Sequence, residues 1–324
     1  MPTVRRIQMA PAEGPWDWYG KRALVTGATG FIGDRLIARL AALDAEVHAV
    51  SRRPQAQAAG EVWHTADLTD PEAAGNLIRA ARPDVLFHLA SEVTGTRDHN
   101  AVLPTLHANL GAAVNLMSAV AGAGTGTRVV LAGSVEEARE GDAVPCSPYA
   151  AAKWAATGYA RMFHGLWDVP VTVLRVAMVY GPGRDEPRRL VPYVTRALLQ
   201  GRDPELSSGT RMIDWVYVDD VADAFVAAAS AEKAAGQVFD IGSGRRVSIR
   251  ETVERITRIV GGAGRPRFGA LPDRPLDNPQ IADVAAAAEV LGWRPVTPLA
   301  EGLRATVAWY ADRSSSDGLP PDDV

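Results

Sequence analysis

Cysteine is almost missing from this chain: Cys146 stands alone among 324 residues, so no intrachain disulfide can form. Nothing therefore ties the protein to an oxidising compartment. Long apolar runs are missing as well. No stretch approaches the ~18 consecutive apolar residues that a bilayer span needs, because the alanine-rich pieces are interrupted by Asp, Glu or Lys. Nor is there an excess of positive charge: 34 Lys and Arg against 38 Asp and Glu leave a formal net charge of -4, which speaks against nucleic-acid binding by bulk electrostatics. The first twenty residues carry Arg5 and Arg6 with no apolar run behind them, and Pro11, Gly14 and Pro15 break the segment. It reads as a tail and not as a signal peptide. The histidines His48, His64, His99, His107 and His164 show no metal-ligand spacing with cysteine or carboxylates. The expectation is a cytoplasmic protein with no metal, no membrane span and no nucleic-acid partner.

What is present is an ordinary globular composition, 47% hydrophobic and 22% charged, which excludes wholesale disorder and coiled-coil architecture. From Lys21 onward, short apolar runs alternate with segments of helical period. Arg22 to Thr26 is a β-type run, and Gly27 to Gly33 break it. Ile32, Leu36, Ile37, Leu40 and Leu43 then recur at helical spacing before Val47 to Val50 reads as a second strand. The alternation continues through the strand Val85 to Ala90, the periodic segment Leu106 to Val120, the strand Arg128 to Ala132, a helix from Tyr149 to Phe163 and the strand Val171 to Val179.

Strands that are continuous apolar runs, separated by helices, predict an α/β fold: a doubly wound parallel sheet of the Rossmann type, covered on both faces. After Tyr180 the texture changes at Gly181-Pro182-Gly183 and the charged run Arg184 to Arg189, where a smaller lobe begins. The expected division is a tail over 1-20, a sheet unit from 21-179 with 214-246 and 283-311, a C-terminal lobe from 180-213 with 247-282, and a disordered tail over 312-324. Ser248 and Glu251 make a capping box, Thr297-Pro298 read as an N-cap and first helical residue, and Asp219 and Asp220 read as caps of Val221 to Ser230.

Three features carry chemistry. The loop Thr26-Gly27-Ala28-Thr29-Gly30-Phe31-Ile32-Gly33 sits between a strand and a helix. Glycines are needed there for a sharp turn, for close approach of a pyrophosphate and for tight helix packing, which makes the loop a dinucleotide site. The second strand ends in Ser51-Arg52-Arg53 with no carboxylate, Glu46 lying at its other end. Arginine there accepts an adenosine 2′-phosphate, so NADP(H) is favoured over NAD(H). Tyr149 and Lys153 lie four apart and so share one helix face; the lysine supplies the cation a tyrosine needs for acid-base work near neutrality. Ser134 follows the strand Arg128 to Ala132, at the carboxyl rim where ligands of this fold bind.

Together with Asp67-Leu68, His88-Leu89-Ala90, Asn109 and Tyr180-Gly181-Pro182-Gly183, these motifs make the chain resemble an extended short-chain dehydrogenase/reductase from Lys21 to about Tyr310. Asp214 to Val221, Arg274-Pro275-Leu276-Asp277 and Leu291-Gly292-Trp293-Arg294-Pro295 resemble the branch acting on nucleotide-diphosphate sugars. The resemblance implies that Tyr149 moves a proton, that Lys153 lowers its pKa and holds the nicotinamide ribose, and that Ser134 polarises the reacting oxygen. It implies cofactor contacts at Gly27, Thr29, Gly30, Phe31, Ile32, Gly33, Ser51, Arg52, Arg53, Asp67, Leu68, Leu89, Ala90, Ser91 and Asn109. It also makes the 180-213 and 247-282 lobe substrate-binding, with Arg211 and Arg274 gripping the diphosphate.

The chain departs from the pattern in three places. Met178 replaces an asparagine of many relatives, and Ile213 replaces an arginine. Glu136 stands where related dehydratases place a base, but the residue before it is Val135 and not an acid. Cys146 reads as a small thiol bordering the pocket, and His88 as a structural residue on an apolar strand. The resemblance further implies a homodimer, with Trp154, Met162 and Phe163 as apolar surface on the tyrosine helix.

The first expectation is an NADPH-dependent ketoreductase for a nucleotide-linked 4-keto-6-deoxyhexose. The alternative is a nucleotide-sugar 4,6-dehydratase or epimerase that retains its NAD(P). A catalytically dead dinucleotide sensor is disfavoured by the presence of Ser134, Tyr149 and Lys153 together.

Overall fold

A computed structural model describes residues 16–56, 60–139, 144–183, 186–187, 189–273 and 281–316. The chain runs through β1 (Arg22–Thr26), α1 (Phe31–Ala41), β2 (Glu46–Ser51), β3 (Glu61–Thr65), α2 (Pro71–Ala81) and β4 (Val85–His88). A short α3 (Val102–Thr105), a π-helical turn (Leu106–Gly111) and α4 (Ala112–Ala123) precede β5 (Arg128–Ser134), α5 (Pro148–Trp167) and β6 (Val171–Val176). Next come β7 (Met178–Tyr180), α6 (Leu190–Leu199), β8 (Glu205–Leu206), β9 (Met212–Ile213), β10 (Trp215–Tyr217) and α7 (Val218–Ser230). The chain finishes with β11 (Val238–Ile241), β12 (Val247–Ser248), α8 (Ile249–Val260), β13 (Arg267–Phe268), α9 (Ala285–Val290) and α10 (Leu299–Ser316).

Seven strands form one sheet in the order β11-β6-β5-β4-β1-β2-β3, all neighbours parallel. Strand order reverses between β1 and β4, and the crevice over that point is where such sheets bind ligands. Side-chain alternation feeds two cores. Ala23 and Val25 of β1 and Phe87 of β4 meet α1 and α7 on one face, with Leu36, Leu40 and Phe225. Leu24 and Leu86 meet α2, α4 and α5 on the other, with Leu77, Leu116 and Phe163. At roughly 1.5–3 kcal/mol per large side chain fully buried, these two faces dominate the stability and leave the polar strand ends free for chemistry.

Helix starts follow local rules in part. Ser147 caps α5 by accepting from the Ala150 N–H at 3.1 Å, with Pro148 as first helical residue. Ser248 caps α8 through the Glu251 N–H, one arm of the expected capping box, while the Glu251 carboxylate pairs with Arg255 and not with the Ser248 N–H. Asp219 and Asp220 do not cap α7, because that helix begins at Val218 and holds both in its first turn. The buried Asp220 carboxylate instead accepts from the Val296 and Thr297 N–H groups and from the Thr297 hydroxyl. That bond occupies Thr297, so α10 starts at Leu299 without it.

Three further expectations change. The strand expected over Val171 to Val179 breaks at Ala177, because hydrogen bonding passes from Ile241 to Asp214 there and β7 pairs with β10. The helix α10 continues to Ser316, so residues 312–316 are not a disordered tail; Arg313 lies over the Trp309 ring at 4.8 Å. Residues 1–15 and 317–324 lie outside the described residues. Finally, Leu303 and Val307 place α10 in the lobe's own core, with Val194 of α6, Val253 and Ile256 of α8 and Trp215 of β10. No helix among the described residues is long and apolar enough to cross a membrane.

Candidate active site

The β1–α1 turn is shaped by how little room it has. Gly27 has φ +70°, and a Cβ on it would lie 2.7 Å from the Ala90 nitrogen and 2.8 Å from the Leu89 carbonyl carbon. A Cβ on Gly33 would run into the Gly27 carbonyl oxygen. The Gly30 N–H closes the turn on Gly27 O at 2.8 Å. No side chain caps α1, whose N-cap is Gly30, so its first-turn N–H groups are left to an outside acceptor. A cradle of bare backbone at a helix start fits the pyrophosphate of a dinucleotide.

Around it, Thr26 Oγ1 bonds to His88 Nδ1 at 2.8 Å and accepts from the Ala90 N–H at 3.2 Å. His88 is buried, and burial, helped by Lys153, lowers its pKa to about 3, so it stays neutral. Asn109 lies buried in the π-helical turn, a distortion common at functional sites. Its side chain accepts from Ser91 Oγ and the Glu92 N–H and donates to the Glu92 carbonyl, which holds the loop after β4. Asn115 fixes the Leu68 and Thr69 carbonyls. Thr69 holds the Asp67 carboxyl below its ordinary range, and Arg52 adds to this. Arg52 and Arg53 are exposed beyond β2, and Glu46 bonds to His48 at the opposite end of the strand.

The catalytic candidates meet at the ends of β5 and α5. Ser134 is the last residue of β5 and buried. Tyr149 and Lys153 occupy the first two turns of α5, and the Ser134 side chain acts on the Tyr149 phenol from the end of β5. Burial pushes the phenol well above its ordinary value; Glu136 adds to the shift, and Ser134 and Arg189 oppose it. Lys153 Nζ lies 5.9 Å from the Tyr149 ring centre and donates to the Ala132 carbonyl at 2.7 Å. Lys153 is not among the groups that shift the Tyr149 phenol, and its ammonium is bound to a backbone carbonyl. Burial brings Lys153 down to about 8, against the pull of Glu137.

On the lobe side, Glu136 donates its N–H to Ser134 Oγ at 3.2 Å, and its carboxylate lies 3.7 Å from Arg211. Arg211 therefore stands beside Glu136, just beyond the end of β5. Met178 is half-buried at the start of β7, and Ile213 is buried in the lobe core. Arg274 lies outside the described residues. The buried Asp214 accepts from the Ser243, Gly244 and Ala282 N–H groups and from the Ser243 hydroxyl, which gathers three loops at the rim. Arg35 of α1 donates to the Pro182 carbonyl at 3.0 Å, tying the first helix to Tyr180-Gly181-Pro182-Gly183.

Sequence reasoning missed Arg189, which heads α6 and acts on Tyr149. It also missed Glu137, 1% exposed beneath the Ser134 turn. The Glu136-Glu137 doublet behind Gly133 was the available signal. Phe163, expected on the dimer surface, is buried against the parent sheet, and Met162 packs on the same core.

The NAD dependent epimerase/dehydratase family model matches residues 23–242. The chain is 33% identical to UDP-glucose 4-epimerase of Mycolicibacterium smegmatis, covering 90% of this chain and 99% of that protein. It is 30% identical to dTDP-glucose 4,6-dehydratase of an Actinoplanes species, covering 90% and 99%. Among solved structures, MoeE5 in complex with UDP-glucuronic acid and NAD is 32% identical with a TM-score of 0.78, covering 90% and 99%.

Proposed function

The chain belongs to the NAD dependent epimerase/dehydratase family, an extended short-chain dehydrogenase/reductase group acting on nucleotide sugars; within it, we propose a nucleotide-diphosphate hexose 4-epimerase that retains its nicotinamide dinucleotide. The observation that carries this is the state of Glu136. A dehydratase needs a free base for the proton beside the transient ketone, and Glu136 is held near the Arg211 guanidinium with Val135 in place of the partner acid. An epimerase needs no carbon acid step, only a proton moved reversibly at the C4 oxygen.

The chain's own residues suit that task. Burial keeps Tyr149 protonated, and Ser134 acts on it from the end of β5, so the two hydroxyls can donate hydrogen bonds to a ketone oxygen as negative charge develops and Tyr149 can then protonate it. In the opposite direction the phenolate left by that transfer takes the hydroxyl proton back, and Lys153, one turn along α5, balances the phenolate's charge in between. Gly27, Gly30 and the first turn of α1 would hold the pyrophosphate, and the loop after β4 the nicotinamide side. When bound, the nicotinamide supplies the two-electron acceptor and donor for alcohol–ketone exchange. The relatives named UDP-glucose 4-epimerase and MoeE5, with its UDP-sugar ligand, support a uridine diphosphate substrate.

A second reading, NADPH-dependent reduction of a 4-keto-6-deoxyhexose, is favoured by one feature: exposed Arg52 and Arg53 directly after β2, where the strand end itself carries no carboxylate. The test is to incubate the purified protein with NAD and UDP-glucose, and separately with NADPH and a nucleotide-linked 4-keto-6-deoxyhexose. The C4 epimer should form with no net change in cofactor. Stoichiometric NADPH oxidation would establish the reductase, and loss of water from the hexose would establish the dehydratase.

We also propose a homodimer built on α5 and the preceding helical segment. Exposed Leu103, Leu106, Trp154, Tyr159, Leu166 and Trp167 support it. A monomer in sedimentation at micromolar concentration would sink it.

A further inference from the structure

Glu137 is a buried carboxylate that the proposed chemistry does not use. Its Oε1 accepts from the Ser134 N–H at 2.7 Å, and its Oε2 accepts from the Thr157 hydroxyl at 2.7 Å. Thr157 lies one turn beyond Lys153 and two beyond Tyr149, on the same face of α5. One carboxylate thus fastens the backbone of the strand-end hydroxyl to the helix that carries the tyrosine and the lysine. The fold makes room for it deliberately: a Cβ on Gly133 would sit 2.5 Å from Glu137 Oε1 and 3.0 Å from a Val173 methyl.

Such a group is costly unless it is used. An ionised carboxylate removed from water loses several kcal/mol of hydration, and two neutral donors do not offset that. The charged and titratable groups facing it are few. Arg175 of β6 is bound to Asp240 of β11 at 2.8 Å, and Asp240 also holds Arg139 at 2.7 Å. From α5 come Tyr149 and Lys153, and Lys153 in turn helps to keep His88 of β4 neutral. Lys153 is itself buried and spends its one visible bond on the Ala132 carbonyl, which carries no formal charge to balance it.

We propose that Glu137 is a positioning residue that clamps Ser134 to α5 and serves as the buried counter-charge keeping Lys153 an ammonium while Tyr149 is neutral. The role rests on the proposed oxidoreductive use of Ser134, Tyr149 and Lys153. It explains why Glu136 and Glu137 adjoin: one faces the cleft and Arg211, the other faces the protein side of the same turn.

The chain has three lysines, Lys21, Lys153 and Lys233, so carbon-13 labelling at lysine Cε gives three NMR signals. Lys21→Arg and Lys233→Arg assign the third. In the wild-type full chain, without substrate, the Lys153 signal should titrate with a midpoint of about 8. Glu137→Gln keeps the shape and removes the charge, and should move that midpoint down by about one unit. The alkaline limb of kcat with UDP-glucose should move down in parallel, kcat should fall at least tenfold at pH 8, and KM should change less than twofold. An unmoved Lys153 midpoint in folded Glu137→Gln overturns the proposal.

If that variant does not fold, Thr157→Val removes one donor and favours the protonated carboxyl. It should shift the midpoint the same way by a smaller amount, and no shift overturns the proposal. Tyr149→Phe separates the two ideas: full turnover in that variant removes the catalytic reading and leaves the lysine titration as the test of Glu137.

Discussion

At the β1 end of the crevice the shape of the site is made by backbone. Gly27 and Gly33 leave no room for a side chain, and an uncapped helix start supplies donors. At the β5 end it is made by buried side chains: Ser134 against Tyr149, Lys153 on a carbonyl, and Glu137 between two elements. The first arrangement tolerates no added atoms but demands little particular chemistry. The second depends on a few functional groups whose pKa values are set by burial. A pyrophosphate is the same in every dinucleotide, so backbone suffices for it; proton transfer needs named atoms.

The contrast can be broken from either side. Tyr149→Phe should produce the largest effect, a loss of turnover of about 10²–10⁴, with the affinity for NAD(H) measured by fluorescence quenching within twofold of wild type. An equal loss of cofactor affinity would mean that the two ends are not separate. Gly33→Ala should do the reverse, reducing NAD(H) affinity roughly tenfold or more and lowering stability by about 1–3 kcal/mol in a denaturant melt, because the new methyl meets the Gly27 carbonyl.

Arg211→Ala should come next, raising KM for the sugar nucleotide about tenfold, as expected for the loss of a charged hydrogen-bonding partner. It should also free Glu136, so any new water-eliminating activity in that variant would show that the ion pair is what restrains a dehydratase. The smallest effect belongs to Arg52→Ala/Arg53→Ala, which should weaken NADP(H) two- to fivefold, the scale of exposed ion pairs, and leave NAD(H) unchanged. A wild-type preference for NADP(H) of a hundredfold or more would instead move the second strand's arginines into the determinants of function.

How far the fold was legible varies by element. Continuous apolar runs such as Val85 to Phe87 have only one stable home, between two helical layers, and the parallel sheet followed from them. Ser248 with Glu251 is a local pattern and held at α8. Asp219-Asp220 and Thr297 failed as local patterns, because Asp220 is drawn into bonds with residues more than seventy positions away. A capping residue and a distant anchor look the same in one dimension. The break at Ala177 was hidden for a similar reason: the run stays apolar while its hydrogen-bond partner changes.

The site divides along the same line. Gly27, Gly30, Gly33, Ser134, Tyr149 and Lys153 were legible, since glycine spacing and helical period report backbone constraints and shared faces without reference to the rest of the molecule. Whether Glu136 is a free base, and that Arg211 stands beside it, was decided only when the residue before β9 came within reach of the residues after β5. The protonation of Tyr149 was likewise decided by burial, which no stretch of sequence displays. Sequence determines propensities over a few residues, and so the sheet, the glycine turn and the helix that carries Tyr149 and Lys153. The Glu137 clamp, the lysine's carbonyl partner and the charge of each group depend on distances and on excluded water, quantities that exist only after the chain has closed on itself.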